Sequence, residues 1–183
     1  MSKSIASPLK LSPTTGKGAN TIRVVIETPK GSRNKYAFNA EENVFELKKV
    51  LPAGMAFPYD FGFVPSTLAE DGDPVDVLLL MDQPAFAGCV LNARIIGVIE
   101  GEQSGTKGTE RNDRIVAIEL ENHSFADVED LSDLGKQFVK ELEEFFVNYH
   151  RLSKEKYRVL DVKGIGRATK LIEKGHRANR RQS

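Results

Sequence analysis

Three aspartates lie within six residues of one another in the segment AEDGDPVDVLLL (residues 69–80), where Asp71, Asp73 and Asp76 precede an apolar run. Carboxylates this close repel one another, and the entry to a buried strand is an unfavourable place to hold them without a neutralising cation. Their types and spacing allow three interpretations: a solvated acidic turn built on Asp-Gly and Asp-Pro, a calcium-binding loop, or a Mg²⁺ or Mn²⁺ site that works on phosphate groups.

The calcium interpretation is the weakest of the three. Leu78 to Leu80 occupy positions where an EF-hand loop has ligands, and the glutamate that closes such a loop is missing. Mg²⁺ binds through a few carboxylates, retains several water molecules and completes its coordination with a substrate phosphate. With Asp71 in the loop and Asp76 at the start of the strand, both carboxylates can face one cavity. The solvated turn stays open as the alternative.

A site for phosphate groups also requires cationic side chains. Lys35 lies on a predicted strand after a turn, and Lys48, Lys49 and Arg114 lie at the edges of predicted strands. Each of them alone is typical of a solvated surface residue. They become candidates for phosphate contacts only in combination with a metal held by the aspartates.

Most of the elements that must position these residues are predicted to be β-strands. Residues 52–74 are rich in proline and glycine, which predicts a long ordered loop with little regular structure, and such loops usually serve a site. Residues 101–113 are predicted to be a polar connection between two strands. β-branched and apolar runs predict strands at residues 21–27, 35–38, 44–47, 75–81, 90–100, 114–120 and 157–162.

Helices are predicted in the last third of the chain. Apolar and aromatic side chains recur every three or four residues from Leu131 to Tyr149, which predicts an amphipathic helix of about five turns. Ser132 and Asp133 supply capping groups near its start. A second helix is predicted at residues 165–178. Short strands followed by helices predict an α+β domain built on a small, strongly curved sheet or barrel.

Composition sets limits on partners and location. The 183 residues contain 26 Lys and Arg and 26 Asp and Glu, so the net charge indicates neither a nucleic-acid partner nor a membrane surface. No apolar run is long enough to span a membrane, and the single cysteine, Cys89, favours a reducing, cytoplasmic location. We expect a flexible N-terminal arm at residues 1–20, a single domain at 21–178 and a basic C-terminal tail at 179–183.

A longer segment adds a resemblance to a known family. FPYDFGFVPSTLAEDGDPVDVLLL (residues 57–80) combines the pattern aromatic-Pro-x-x-aromatic-Gly-aromatic with Pro-x-Thr-Leu-Ala-Glu and with Asp-Gly-Asp-Pro-Val-Asp before a hydrophobic strand. It resembles the signature region of the soluble, metal-dependent inorganic pyrophosphatases. The similarity extends to VVIE, LKKVL, DRIVAIEL and FFVNYH elsewhere in the chain and covers roughly residues 21–165.

The resemblance implies a small five-stranded, OB-like β-barrel flanked by helices, with long loops that form the site. It also implies hydrolysis of pyrophosphate to two phosphates by a metal-activated water, with Mg²⁺ (or Mn²⁺) as cofactor, in a homo-oligomer. By position, the metal ligands are Asp71, Asp76 and Asn112, and Asp73 is the acid/base group near the attacking water. The residues that it places on the substrate are Glu27, Lys35, Lys49, Arg114 and Tyr149.

Several positions depart from the family pattern. The family has Glu at the positions of Ala37 and Ser104, Asp and Arg at those of Lys48 and Lys49, Tyr at that of Phe61, Asp at those of Gln103 and Asn112, and Lys at those of Arg114 and His150. Glu102, Glu110 or Asp113 can replace the lost carboxylates only if the longer loop shifts register. These changes keep two alternatives open: a catalytically impaired relative that binds a metal and a phosphate ligand, and a hydrolase for another phosphate ester.

Overall fold

The computed structural model of the protein describes residues 7–16, 18, 20–105, 108–151 and 155–182. The strands in these residues are β1 (Thr21–Thr28), β2 (Asn34–Asn39), β3 (Val44–Val50), β4 (Asp60–Phe63), β5 (Asp76–Leu80), β6 (Val90–Gly105), β7 (Gly108–Arg111), β8 (Arg114–Glu119) and β9 (Lys156–Lys163). The α-helices are α1 (Gly135–Arg151) and α2 (Ile165–Gln182). In this part of the chain, no helix has the length and apolar character needed to cross a membrane.

Five of the strands close into a ring. The order around the ring is β1, β4, β5, β8 and β6, and β6 pairs again with β1. Every pairing in the ring is antiparallel except that of β5 with β8, which is parallel. β7 and β9 extend the sheet from β6, while β2 and β3 form a separate hairpin. The ring and the two helices confirm the predicted five-stranded barrel and the α+β class.

The ring strands alternate their side chains between two hydrophobic clusters, as the period of two in a strand requires. In β5, Val77 belongs to a cluster that also contains Ile172 of α2. Leu78 belongs to the other cluster, which contains Phe146 of α1. One helix therefore contributes to the hydrophobic cluster on each side of β5. Asp76, two residues before Leu78, lies on the α1 side.

One strand lies where the sequence predicted no regular structure. β4 runs through the proline- and glycine-rich segment 52–74 and pairs with both β1 and β5. Gly62, which reads in the sequence as a loop signal, is required for close packing, since a Cβ atom there would lie 2.0 Å from the backbone oxygen of Val25. A glycine within a strand often marks such a close approach of two backbones. Outside β4, the segment is irregular as predicted.

The segment that was predicted to be a polar connection, residues 101–113, is largely a β-hairpin. β6 continues to Gly105, and its last residues pair with β7 on one side and with β9 on the other. Glu102, for example, lies opposite Arg111 of β7. The prediction missed this hairpin because it depended on apolar periodicity, and the side chains here are mostly polar.

α1 begins later than the periodicity indicates. Leu131–Leu134 form a 3₁₀ turn, and Gly135, the first residue of α1, has a φ of 75° where the turn ends and the α-helix begins. The cap is Asp130, whose carboxylate accepts a hydrogen bond from the Ser132 N–H at 3.0 Å. Asp133 completes a capping box by accepting from the Asp130 N–H at 2.8 Å. Asp133 is thus a capping residue as predicted, whereas Ser132 is a donor to the cap.

The described part of the N-terminal arm is hydrogen-bonded to the domain. The N–H and the hydroxyl of Ser66 both donate to the carbonyl of Leu9, and the N–H of Arg23 donates to that of Pro13. At the other end of the chain, α2 continues to Gln182 and includes most of the predicted tail. The first six residues and the last one lie outside the described residues, and the domain boundaries stay predictions.

Two glycines give a matched test of the ring. Gly62→Ala would press a methyl group against Val25, so we expect the free energy of unfolding to fall by at least about 3 kcal/mol. Gly166→Ala, near the start of α2, meets no atom within 4 Å and should raise that free energy by about 0.5–1 kcal/mol. Urea denaturation measures both. Unchanged stability of Gly62→Ala would contradict the close approach of β1 and β4.

Candidate active site

All nine residues that the sequence assigned to a site line one cleft of about 640 Å³. Its walls are the loop before β5, the β2–β3 hairpin, the link between β7 and β8, and the C-terminal end of α1. The residues are Asp71, Asp73, Asp76, Asn112, Glu27, Lys35, Lys49, Arg114 and Tyr149. The fold therefore brings together residues from distant parts of the chain, while their individual roles stay predictions.

Hydrogen bonds hold the acidic loop (residues 66–75) in shape. At its base, the Thr67 hydroxyl accepts from the Val75 N–H at 3.0 Å. At its tip, the Asp73 N–H donates to a carboxylate oxygen of Asp71 at 3.1 Å. The glycine between these two aspartates has a φ of 91°, in the left-handed region that glycine adopts without strain. The loop thus presents both aspartates from a defined turn.

Asp71 and Asp76 are held where their charged forms are disfavoured. Burial raises the pKa of Asp71 to about 6, and the neighbouring Asp76 and Asp73 add to the rise. Burial also raises the pKa of Asp76 to about 6, although the positive charges of Arg114 and Lys35 oppose it. A divalent cation bound between the two carboxylates would favour their charged forms and remove this penalty.

Asp73 differs from these two aspartates because its side chain is exposed. Its carboxylate accepts no hydrogen bond and joins no ion pair within the described residues. It lies near enough to Glu27 and Asp76 to contribute to the raised pKa of each. The group therefore combines access to water with a position beside the other carboxylates of the cleft.

Glu27 and Lys35 form a partly buried ion pair in the cleft. Nζ of Lys35 lies 3.7 Å from Oε2 of Glu27, and Oε1 of Glu27 accepts from the Phe38 N–H at 2.8 Å. Burial raises the pKa of Glu27, while the charge of Lys35 opposes the rise. The ammonium group also lies 4.0 Å from the centroid of the Phe61 ring. One anion and one aromatic face thus fix the position of this cation.

Lys49 lies opposite Lys35 across the hairpin, so both ammonium groups project from the same face. Nζ of Lys49 is 3.7 Å from the centroid of the Tyr149 ring. Burial lowers the pKa of Lys49, and Lys35 adds to the shift while Glu155 opposes it. Burial raises the pKa of Tyr149 to about 12, so its hydroxyl keeps its proton at neutral pH. Tyr149 is therefore available as a hydrogen-bond donor to a phosphate oxygen.

Arg114 begins β8 directly beside Asp76, the first residue of β5. Its side chain is buried, with the guanidinium carbon 3.9 Å from the centroid of the Phe146 ring. One terminal nitrogen donates to the backbone carbonyl of Asn112 at 3.2 Å. A guanidinium fixed in this way presents a planar set of donors that suits phosphate oxygens.

Asn112 offers an oxygen that has no protein partner. Its Nδ2 donates to Oε1 of Gln103 at 2.8 Å, whereas its buried Oδ1 forms no hydrogen bond with any described residue. A buried polar atom without a partner requires an explanation, and a metal ion is one of the usual ones. Amide oxygens are suitable ligands for hard cations.

The neighbouring carboxylates do not replace the aspartate that the family has at this position. Asp113 accepts from Arg111 at 2.7 Å, and Glu102 pairs with Arg158 at 2.7 Å. Neither of these carboxylates lines the cleft. Glu110 does not line it either, although its negative charge contributes to the raised pKa of Asp71. The longer loop therefore leaves an amide where the family pattern has a carboxylate.

The described residues contain no group of three or more His, Cys, Asp or Glu side chains arranged to hold a metal ion. Mg²⁺ does not require such a group, because it is usually held by one or two carboxylates together with water and substrate phosphates. Asp71, Asp76 and the free oxygen of Asn112 fit that requirement as a set of oxygen donors in one cleft.

Similarity to known proteins covers most of the chain. The family model described as inorganic pyrophosphatase matches residues 24–180. The chain belongs to this family. An inorganic pyrophosphatase of Synechocystis is 39% identical over 155 residues, which cover 85% of this chain and 89% of the relative. The crystal structure of the inorganic pyrophosphatase from Thermus thermophilus matches with a TM-score of 0.87 and 29% identity, over 96% of this chain and 99% of that one. The structure from Neisseria gonorrhoeae gives a TM-score of 0.84 and 35% identity, over 93% and 97%.

The departures from the family pattern that sequence analysis identified lie mostly at this cleft. All of these positions except Ser104 line it. Those that line it are Ala37, Lys48, Lys49, Phe61, Gln103, Asn112, Arg114 and His150. The substitutions therefore bear on ligand binding, while the barrel that carries the site is kept.

His150 is a cleft residue to which sequence analysis gave no role. It lies four residues after Phe146 on the buried face of α1 and is 4% exposed. Its Nε2 is 3.3 Å from a terminal nitrogen of Arg114, and its Nδ1 is 3.3 Å from a carboxylate oxygen of Glu155. The four-residue spacing from Phe146 was the available signal, but a search for apolar periodicity does not count histidine.

The imidazole of His150 is held in its neutral form. Burial lowers the pKa of His150 to about 3, and the positive charges of Arg114, Lys49 and Lys35 add to the shift. The acidic contact from Glu155 does not offset these charges. The unfolded chain binds a proton at this residue near pH 6.5, whereas the folded protein does so only near pH 3. Folding stability attributable to His150 therefore falls as the pH falls between these values.

A variant that cannot titrate tests this pH dependence. His150→Gln should lose less stability than the wild type between pH 7 and about pH 5, because only the wild type has a residue here whose unfolded form gains a proton. Urea denaturation at both pH values measures the difference. His123→Gln, at an exposed histidine outside the cleft, makes the same substitution away from the site and is the matched control. The same dependence in wild type and His150→Gln would contradict the buried, neutral imidazole.

Proposed function

We propose that the protein hydrolyses inorganic pyrophosphate to two phosphates, with Mg²⁺ as its metal and Mn²⁺ able to replace it. The observation that carries the proposal is the meeting of three oxygen ligands and three cationic side chains in one cleft of a chain from the inorganic pyrophosphatase family. These are Asp71, Asp76 and Asn112, and Lys35, Lys49 and Arg114.

Asp71, Asp76 and Asn112 would hold the metal through oxygen atoms. When bound, Mg²⁺ lowers the pKa of a water molecule and neutralises charge on the phosphate oxygens. Mn²⁺ accepts the same carboxylate and carbonyl ligands, which supports its use as a substitute.

The remaining side chains would handle the proton and the phosphates. Asp73 accepts the proton of the attacking water, since its exposed carboxylate has no competing partner among the described residues. Lys35, Lys49 and Arg114 bind phosphate oxygens and neutralise charge on the leaving phosphate. Tyr149, which keeps its proton at neutral pH, donates a hydrogen bond to the same ligand.

The proposal includes a homo-oligomer in the cytoplasm. Large apolar side chains are exposed at Leu47, Val50 and Phe86, and Phe86 is 69% exposed. Exposed apolar side chains such as these are available for burial against a second copy of the chain. The free thiol of Cys89 supports a reducing compartment.

The neutral pair of Gln103 and Asn112 favours a second candidate: a protein that binds a metal and a phosphate ligand with little catalysis, or that hydrolyses another phosphate ester. Phosphate release from pyrophosphate by the purified protein distinguishes the candidates. Release that requires Mg²⁺ and stops with a chelator supports the first. A folded protein that binds Mg²⁺ but releases no phosphate supports the second.

Asp73→Asn tests the proton acceptor. We expect kcat to fall by about 100-fold or more, the range typical of general acid–base groups, while Mg²⁺ binding measured by calorimetry largely survives. Asp127→Asn makes the same chemical change at an exposed position outside the cleft and should leave kcat unchanged. Wild-type kcat in Asp73→Asn would exclude Asp73 as the acid/base group.

Asp71→Asn tests the metal site without measuring activity. Removing one of several buried, mutually repelling carboxylates should raise the melting temperature of the chelator-treated protein. The further rise on adding Mg²⁺ should be smaller in the variant than in the wild type, because a ligand has been weakened. Asp127→Asn should match the wild type in both measurements. A full Mg²⁺ response in Asp71→Asn would remove Asp71 from the ligand set.

A further inference from the structure

His150 lies between an anion and a cation in the wall of the cleft. Its Nδ1 is 3.3 Å from the Glu155 carboxylate, and its Nε2 is 3.3 Å from a terminal nitrogen of Arg114. The ring stacks on Tyr157, with centroids 5.2 Å apart and an angle of 15° between the planes. Its edge-on contact with Tyr149 has centroids 5.1 Å apart. Aromatic rings on two sides therefore restrict the orientation of the imidazole.

The two hydrogen bonds determine which tautomer is present. A guanidinium has only donors, so Nε2 of His150 must accept from Arg114 and cannot carry a proton. In a neutral imidazole the proton is then on Nδ1, where the Glu155 carboxylate can accept it. Each neighbour requires the same tautomer, and the three side chains form a continuous chain of hydrogen bonds from Glu155 to Arg114.

We infer that His150 is a positioning residue, which receives its orientation from Glu155 and fixes the Arg114 guanidinium for binding to a phosphate group. Arg114 is also oriented by a hydrogen bond from its other terminal nitrogen to the Asn112 carbonyl at 3.2 Å and by the aromatic side chains of Phe146 and Tyr157. A planar guanidinium held at both terminal nitrogens has one orientation left. The inference depends on the proposed function for its ligand, but the contact itself can be tested without it.

The neutrality of His150 is part of this role. Lys35, Lys49 and Arg114 already bring three positive charges to the imidazole. A cation at position 150 would repel Arg114 and could not accept its hydrogen bond. A neutral acceptor orients the guanidinium and leaves its charge available to the phosphate.

Two substitutions of similar size separate positioning from packing. His150→Gln keeps an oxygen acceptor near the place of Nε2, whereas His150→Leu fills the space without one. For pyrophosphate with Mg²⁺, we expect His150→Leu to lose roughly 10- to 100-fold in kcat/KM, the effect of losing a hydrogen bond to a charged group. His150→Gln should stay within about threefold of the wild type, since the acceptor is retained.

Stability should rank the same two variants differently. Leucine suits a buried helix position better than glutamine, so thermal unfolding should find His150→Leu at least as stable as His150→Gln. If His150 only packs, activity follows stability, and the leucine variant is the better enzyme. A higher kcat/KM in His150→Leu than in His150→Gln, or an equal kcat/KM in both variants, overturns the inference.

The same two substitutions made in an Arg114→Met variant test whether the difference in kcat/KM depends on Arg114. In Arg114→Met no guanidinium is present, so the difference in kcat/KM between His150→Gln and His150→Leu should disappear. A difference that persists there means that His150 acts on something else and overturns the inference. His123→Leu, outside the cleft, is the control and should match the wild type.

The tautomer can be measured without any substrate. Nitrogen chemical shifts of ¹⁵N-labelled His150 in the wild type should report a neutral ring with its proton on Nδ1 at pH 7. A proton on Nε2, or a charged ring, overturns the inference whatever the activity. If the wild type releases no phosphate from pyrophosphate but the shifts are as expected, the proposed function fails while the contact with Arg114 stands.

Discussion

The parallel pairing of β5 with β8 is the constraint on which the site depends. Parallel strands begin at the same edge of a sheet, so the segments that lead into them meet there. The acidic loop leads into β5 at Asp76, and the end of the β6–β7 hairpin leads through Asn112 into β8 at Arg114. Carboxylates from one segment and an amide and a guanidinium from the other are thus side by side before any ligand binds. An antiparallel pairing would separate them by the length of a strand.

Burial shifts the pKa of charged groups on both sides of this cleft toward the neutral form. It raises the pKa of Glu27, Asp71 and Asp76, and it lowers the pKa of Lys49 and His150. A cation would favour the charged forms of the acids, and a polyanion would favour the charged form of Lys49. The two kinds of ligand therefore support each other, because each also neutralises the charge of the other. A ligand of one sign alone would compensate only the groups of opposite charge and would leave the others in an environment that disfavours their charged forms.

The sequence predicted the site better than it predicted the sheet. Three aspartates before an apolar strand and a resemblance to one family were enough to name nine residues that line a single cleft. The prediction missed β4 because a glycine such as Gly62 can indicate either a turn or a close contact between two backbones. The position of the partner strand, which the sequence does not give, distinguishes the two. The β6–β7 hairpin was missed because polar strands have no apolar period. His150 received no role because its partners, Arg114 and Glu155, are set by the fold and not by local spacing.

Four of the departures from the family pattern that sequence analysis identified lie in two contacting pairs. Asn112 and Gln103 both replace aspartates, and the amide of one donates to the amide of the other at 2.8 Å. Arg114 and His150 both replace lysines, and they lie 3.3 Å apart. A site that had merely decayed would accumulate buried groups without partners, which are costly. Here each pair shares a hydrogen bond, and two buried atoms of the pairs have no partner among the described residues. Oδ1 of Asn112 is of the kind that a metal ion uses, and Nε of Arg114 is a donor that suits a phosphate oxygen. The two atoms without a partner are thus a metal ligand and an anion donor, which supports the proposed phosphate site over a site in decay.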